Sequence, residues 1–361
     1  MNRLWSSVTN SLTPYVPGEQ PKNIDNLVKI NTNENPYPPA PGVLEAIKKA
    51  CNKDLRLYPE CNAQIMVDSL VEFYKLKHPD AKLESENFFI GNGSDEVLAF
   101  ALRAFYCNQK PLNMNDITYS FYTVYCDLFG IPYTIHPLNR DFTVNVESFV
   151  KAKGGVIITN PNAPTGIYLD VSQIKYILDN HKDDVIIIDE AYIDFGGTSC
   201  AELIAEYDNL LIVTTLSKSR SLAGLRIGYA YGHKDLITGL NVIKNSFNSY
   251  TMDRIAQVAG AAAIDNWKYY DIITDKIIRT RQWVTAELDK RGFKTLKSSS
   301  NFVFTTHPDY HAIDLARGLR NQGVVVRYFN KPRINEYLRI TIGSDDEMQR
   351  FFDALNKEFG I

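Results

Sequence analysis

Lys218 is the residue around which the chemistry of this chain organises. It closes the run Thr214-Thr215-Leu216-Ser217-Lys218, directly after Leu210-Leu211-Ile212-Val213, an apolar stretch that reads as a buried strand. Arg226 follows eight residues later. In an open α/β sheet the carboxyl end of a strand is where ligands sit. An amine there is a nucleophile toward carbonyl groups, and neighbouring hydroxyls with a guanidinium suit a phosphate. A lone lysine is more often a solvated surface residue, so the weight falls on its partners elsewhere in the chain.

Three further segments supply those partners. Gly91-Asn92-Gly93-Ser94-Asp95-Glu96 stands at the start of a helix whose Val97, Leu98, Ala101, Leu102 and Phe105 share one face. Its glycines permit a tight turn, and free amides at a helix N-terminus receive phosphate oxygens. Asn160-Pro161-Asn162-Ala163-Pro164-Thr165-Gly166 closes a strand at Val156–Thr159. It is either a rigid turn or the source of an amide that donates to a phenolate oxygen. Asp189-Glu190-Ala191-Tyr192 ends the next strand, Val185–Ile188. A carboxylate there is costly unless paired, and a protonated pyridine nitrogen is a suitable partner. Tyr192 either hydrogen-bonds the same phenolate or merely packs. Phosphate, phenolate, pyridine nitrogen and an amine-reactive carbonyl together describe pyridoxal phosphate. Each motif alone has an ordinary structural explanation; four in order, each at a strand end or helix start, point to one cofactor.

The elements that must position these groups follow from hydrophobic periodicity. Residues 1–41 are rich in Asn, Pro and Tyr, cannot hold a long helix, and read as an extended arm. From 42 to 265 short apolar strands alternate with amphipathic helices, among them one capped by Asp170 and carrying Ile174, Ile177 and Leu178. That alternation predicts a mainly parallel sheet covered on both faces. From 266 to 361 a long charged helix, about Tyr269–Arg291, precedes strand candidates at Phe302–Phe304, Val324–Val326 and Leu338–Ile340. A smaller α+β domain is expected there.

The chain has 361 residues, of which 45% are hydrophobic and 22% charged, an ordinary composition for a soluble globular protein. A formal net charge of -3 and the absence of a basic cluster argue against nucleic acid. Neither an apolar signal core nor a run long enough to span a bilayer is present, so a cytoplasmic protein is expected. Cys51, Cys61, Cys107, Cys126 and Cys200 are scattered without a C-x-x-C pair, and no metal site is expected.

With these motifs in place, the chain resembles the fold-type I pyridoxal-phosphate aminotransferases and, within them, the histidinol-phosphate aminotransferase family. The resemblance runs over nearly the whole length. Beyond the segments above it rests on Leu12-Thr13-Pro14-Tyr15, Asn31-Thr32-Asn33-Glu34-Asn35-Pro36, Arg56-Leu57-Tyr58-Pro59-Glu60, Leu222-Ala223-Gly224-Leu225-Arg226 and Leu338-Arg339-Ile340. It implies a large domain with a mainly parallel seven-stranded sheet, a smaller α+β domain, and a homodimer with shared active sites.

The resemblance also implies roles. Lys218 carries the cofactor and relays the proton, Asp189 pairs with the pyridine nitrogen, and Tyr192 with Asn162 holds the phenolate oxygen. Gly93, Ser94, Asp95, Ser217 and Arg226 bind the phosphate, Tyr119 lies over the ring, and Tyr58 reaches the phosphate of the neighbouring subunit. Tyr15, Asn35, Arg327 and Arg339 bind substrate, the two arginines taking its carboxylate or phosphate. The implied reaction is transamination of L-histidinol phosphate with 2-oxoglutarate, giving imidazole acetol phosphate and L-glutamate. Aromatic amino-acid transamination and threonine-phosphate decarboxylation are the alternatives on a similar scaffold. One departure is visible: many aminotransferases place an asparagine immediately before Pro-Thr-Gly, where this chain has Ala163. Asn162 is expected to serve in its place.

Overall fold

The computed structural model describes residues 2–22, 26–107 and 110–361. At its centre is a seven-stranded sheet in the order Phe88–Gly91, Gly228–Gly232, Leu210–Thr215, Ile186–Asp189, Gly155–Thr159, Leu112–Asn115, Tyr133–His136. Gly228–Gly232 is antiparallel to both neighbours; the other six strands run the same way. Their carboxyl ends therefore lie along one edge, which is how motifs far apart in sequence become neighbours.

Alternation along each strand explains why the sheet is covered twice. Ile158, Ile186, Ile188 and Ile212 face a core shared with helices Pro41–Ala50, Gln64–Lys77 and Val171–Asn180. Ile157, Ile187, Leu211 and Val213 face the opposite core, with helices Gly93–Phe105 and Lys234–Phe247. A strand with two buried faces has no polar alternation, hence the unbroken Leu-Leu-Ile-Val and Ile-Ile-Ile runs. Tyr133–His136, at the sheet edge, is the exposed exception.

The helix begins at Gly93, two residues before the start at Asp95 that a cap by Ser94 would give. Asn92 is the N-cap and makes no side-chain cap bond; Glu96 instead reaches back to accept from the Asn92 N–H at 2.6 Å. Gly228 lets the turn approach, because a Cβ there would lie 2.3 Å from the Ser94 nitrogen.

A second, antiparallel sheet is ordered Arg327–Tyr328, Leu338–Thr341, Phe302–Thr306, Lys294–Thr295. Phe302 and Ile340 pack in a core with Leu315 and Phe351 from helices Ala312–Asn321 and Asp345–Phe359. A capping box of Ser344 and Glu347 starts the latter helix. The arm joins this region: Val28–Lys29 pairs in parallel with Val324–Val325. It holds no helix beyond the five residues Ser7–Ser11 in its described part. Helix Trp267–Lys290 bridges the two regions, burying Tyr270 and Ile273 in the first core and Ile277, Val284 and Leu288 in that of the antiparallel sheet. Among the described residues no helix is long and apolar enough to cross a membrane.

Candidate active site

Five strand ends converge on a cavity of about 110 Å³ whose wall carries Ser94, Asp95, Tyr119, Asp189, Tyr192, Ser217, Lys218 and Arg226. A second cavity of about 230 Å³ carries Tyr15, Asn33, Arg327 and Arg339. Lys218, Tyr119, Ala163 and Tyr192 line both. The lysine thus stands where the two spaces meet.

Asp189 is buried, 4% exposed, at the last position of its strand. Its Oδ2 accepts from the Tyr122 hydroxyl at 2.6 Å and its Oδ1 from the Ala191 N–H at 3.2 Å. Burial pushes this carboxyl up to about 6, and those two donors only partly counter it. A positive partner in the cavity would restore the ionised form. Tyr122 in turn pairs with Thr159 Oγ1 at 2.6 Å. On the other side of the strand end Glu190 accepts from Ser199 Oγ and the Cys200 N–H, both at 2.7 Å, and burial pushes it up to about 7.

One wall of the smaller cavity is built from a turn and a guanidinium. Arg226 adopts a left-handed φ of 50° and pairs with Asp95 Oδ2 at 3.0 Å. Gly93 sits at φ 84°, and a Cβ on it would lie 2.7 Å from the Arg226 guanidinium. Only glycine leaves that space. Ser217 is held by its N–H to Thr215 Oγ1 at 3.1 Å, and the Tyr119 hydroxyl donates to Asp95 Oδ1 at 2.8 Å.

Lys218 Nζ donates to the Thr32 carbonyl at 3.4 Å and lies 5.9 Å from the centre of the Tyr192 ring. Tyr192 accepts from Asn33 Nδ2 at 2.9 Å and packs edge-on against Phe302. In the second cavity the Tyr15 ring packs at a tilt of 35° against Phe121, with centroids 4.6 Å apart. Arg339 donates to the Asn31 carbonyl at 3.1 Å and lies over Phe302 and Phe329.

Two residues expected at the site, Asn162 and Asn35, line neither cavity. Asn162 spends its amide hydrogens on the Ile117 carbonyl and Thr165 Oγ1, both at 3.0 Å, and Ala163 lines the cavity instead. The side chain after it in the turn points the opposite way, so a one-residue offset cannot be made up. Asn35 donates to the Lys218 carbonyl at 3.0 Å and accepts from the Tyr37 N–H, so it braces the lysine loop rather than lining the second cavity. Tyr58, expected at the neighbouring subunit's phosphate, is 80% exposed and stacks on Tyr250, outside both cavities of its own chain. Tyr122 and Asn33 are site residues that the motifs did not single out. Asn33 lies within the Asn31–Pro36 segment, but nothing in its spacing ties it to Tyr192.

A family model described as aminotransferase class I and II matches residues 25–355. A histidinol-phosphate aminotransferase from Clostridium botulinum is 51% identical over 357 residues, covering 99% of each chain. The chain belongs to the histidinol-phosphate aminotransferase family. The solved histidinol-phosphate aminotransferase of Sinorhizobium meliloti, in complex with pyridoxal-5'-phosphate, superposes with a TM-score of 0.85 at 23% identity over 99% of this chain and 98% of that one. The L-threonine-O-3-phosphate decarboxylase of Porphyromonas gingivalis superposes with a TM-score of 0.78 at 20% identity, over 93% of this chain and 100% of that one. Similarity at that level shows the fold, which two reaction classes share.

This aminotransferase uses pyridoxal 5'-phosphate, as its family does. The residues present fit that group. The cavity offers an amine, a buried carboxyl short of a positive partner, a tyrosine hydroxyl, and a glycine cradle beside a guanidinium.

Proposed function

We propose that this aminotransferase moves the amino group of L-histidinol phosphate to 2-oxoglutarate, giving imidazole acetol phosphate and L-glutamate in histidine biosynthesis. The observation that carries the reading is the meeting of the two cavities at Lys218, one walled by Asp189 and Arg226, the other by Arg327, Arg339 and Tyr15. Identity of 51% to a named histidinol-phosphate aminotransferase supports the choice of donor.

The bound cofactor supplies a ring that withdraws electrons from the carbon bearing the transferred nitrogen, lowering the cost of losing its proton. Lys218 Nζ would take that α-proton and deliver it to the other carbon bonded to the transferred nitrogen, before water releases the keto product, a role that requires contact with both spaces. Asp189 holds the ring nitrogen, and the ion pair offsets the burial cost of the carboxylate. Tyr192 donates to the ring oxygen. Gly93, the Ser94 and Asp95 amides, Ser217 and Arg226 hold the phosphate, while Tyr119 covers the ring. Arg339 takes the carboxylate of glutamate or 2-oxoglutarate, and with Arg327 and Tyr15 the phosphate of the donor.

The working unit is a cytoplasmic homodimer in which the exposed Tyr58 reaches the partner's phosphate site. Residues 42–265 form the large cofactor domain, 266–361 the small domain, and 1–41 the arm that joins it.

Titration of the holoenzyme with L-histidinol phosphate, without a keto acid, tests the reaction. The absorbance of the lysine-bound cofactor should disappear and return on adding 2-oxoglutarate. A band unmoved by histidinol phosphate but cleared by an aromatic amino acid would reassign the donor; carbon dioxide released from threonine phosphate would reassign the reaction.

A further inference from the structure

The segment Asn31–Asn33 lies between the substrate-side arginine and the two side chains at the cavity junction. Arg339 donates to the Asn31 carbonyl, Lys218 to the Thr32 carbonyl, and Asn33 Nδ2 to the Tyr192 hydroxyl at 2.9 Å. Asn33 is 1% exposed and adopts φ 58°, a left-handed conformation that asparagine tolerates better than most residues.

Every polar atom of Asn33 is engaged. Its N–H donates to Thr341 Oγ1 at 3.0 Å, and Thr341 Oγ1 donates to Asn33 Oδ1 at 3.2 Å. Its carbonyl accepts from Asn301 Nδ2 at 2.9 Å. The polarity of this chain of bonds starts from a group that can only donate, the backbone N–H. The Thr341 oxygen receives that proton, so its own hydrogen is free for Asn33 Oδ1. With the amide oxygen held, Nδ2 faces Tyr192 and occupies a lone pair of its hydroxyl. A hydroxyl has one proton. That of Tyr192 is therefore directed away from Asn33.

No amide from the Asn160–Gly166 turn competes at this wall. Ala163 lines it, and both amide hydrogens of Asn162 are spent on Ile117 and Thr165.

We propose that Asn33 is a positioning residue that aims the Tyr192 proton at the cofactor's ring oxygen, and that Thr341 sets its polarity. The inference rests on the reading that Tyr192 holds that oxygen. Thr341 and Arg339 lie two residues apart on one strand, on the same face of the pleat. The strand that takes the substrate anion thereby also braces the hydrogen bond that tunes the cofactor.

A donor at the ring oxygen withdraws charge from it and lowers the proton affinity of the nearby nitrogen that joins the cofactor to Lys218. Losing the donor raises the pH midpoint at which the holoenzyme's visible absorbance changes. The test compares that midpoint in Tyr192→Phe, Asn33→Gly, Thr341→Val and the Asn33→Gly/Tyr192→Phe double variant. Glycine accepts φ 58° without strain, and Thr341→Val keeps the Asn33 side chain while removing the hydroxyl that pairs with its N–H and Oδ1.

Tyr192→Phe should raise the midpoint by about one pH unit, and Asn33→Gly and Thr341→Val by about half a unit to one unit, the scale of one hydrogen bond. The double variant should titrate with Tyr192→Phe alone. A shifted Tyr192→Phe beside unshifted Asn33→Gly and Thr341→Val, in whichever of the two folds, overturns the proposal and leaves the role of Tyr192 standing. Full additivity in the double variant overturns it as well, since Asn33 would then act by another route. An unshifted Tyr192→Phe removes the role of Tyr192 and the proposal with it.

Discussion

The two cavities that meet at Lys218 are built in opposite ways. On the cofactor side, Asp95, Asp189, Ser217 and Lys218 stand within a few residues of a strand end, and six like-directed strands bring those ends together. On the substrate side, Tyr15 comes from the arm while Arg327 and Arg339 come from the antiparallel sheet. Arg339 and Asn31, which touch, are 308 positions apart. A parallel sheet is a generic device: any residue at a carboxyl end reaches the same edge. The substrate side has no such rule and depends on how arm and sheet pack.

Lys218 belongs to both regions, and its removal should have the largest effect. Lys218→Ala is expected to lower kcat by about 10²- to 10⁴-fold or more, the range for a general acid–base group, while the protein still binds cofactor. Turnover within tenfold of the parent enzyme would break the idea that the cavities work through one amine.

Arginine substitutions separate the regions. Arg339→Met should raise KM for the anionic substrates by about 10- to 100-fold, because a partly buried charge-assisted contact is lost. Arg226→Met should weaken cofactor binding by about tenfold, less because the guanidinium is half exposed and already paired with Asp95. Equilibrium cofactor titration and steady-state kinetics measure the two constants. An Arg339→Met enzyme with altered cofactor affinity and normal KM would erase the division.

The mildest expectation concerns the apoprotein. Asp189 titrates at about 6 in the fold against an ordinary 3.8, so the folded state binds the proton more tightly. Stability from this group is full below about pH 4 and falls as pH rises to about 6. The loss is on the order of 3 kcal/mol. Thermal melts of apoprotein at pH 4.5 and pH 7 should show that slope, and Asp189→Asn should flatten it. Adding cofactor should flatten it too, since a pyridine nitrogen offers the missing charge. An identical slope in Asp189→Asn would place the titrating group elsewhere; Glu190, pushed to about 7, is then the one to replace.

Much of this molecule follows from local rules. Unbroken apolar runs at Ile186–Ile188 and Leu210–Val213 require burial on both faces, which only helices on either side of a sheet provide. Motifs at the ends of those runs then have one place to go, and Ser94, Asp189, Ser217, Lys218 and Arg226 do share a cavity. Side-chain direction is another matter. Asn162 and Ala163 are adjacent, yet the turn turns the amide inward to Ile117 and presents the methyl to the cavity. Asn35, expected at the substrate, braces the Lys218 backbone. Tyr122 and Asn33 reach Asp189 and Tyr192 across 67 and 159 positions. Sequence by itself determined the elements and the groups at their ends, because periodicity and capping act over a few residues. Tertiary structure alone decided which side chain faces which, because hydrogen bonds are made within 3 Å or so and a half-turn of the backbone removes them.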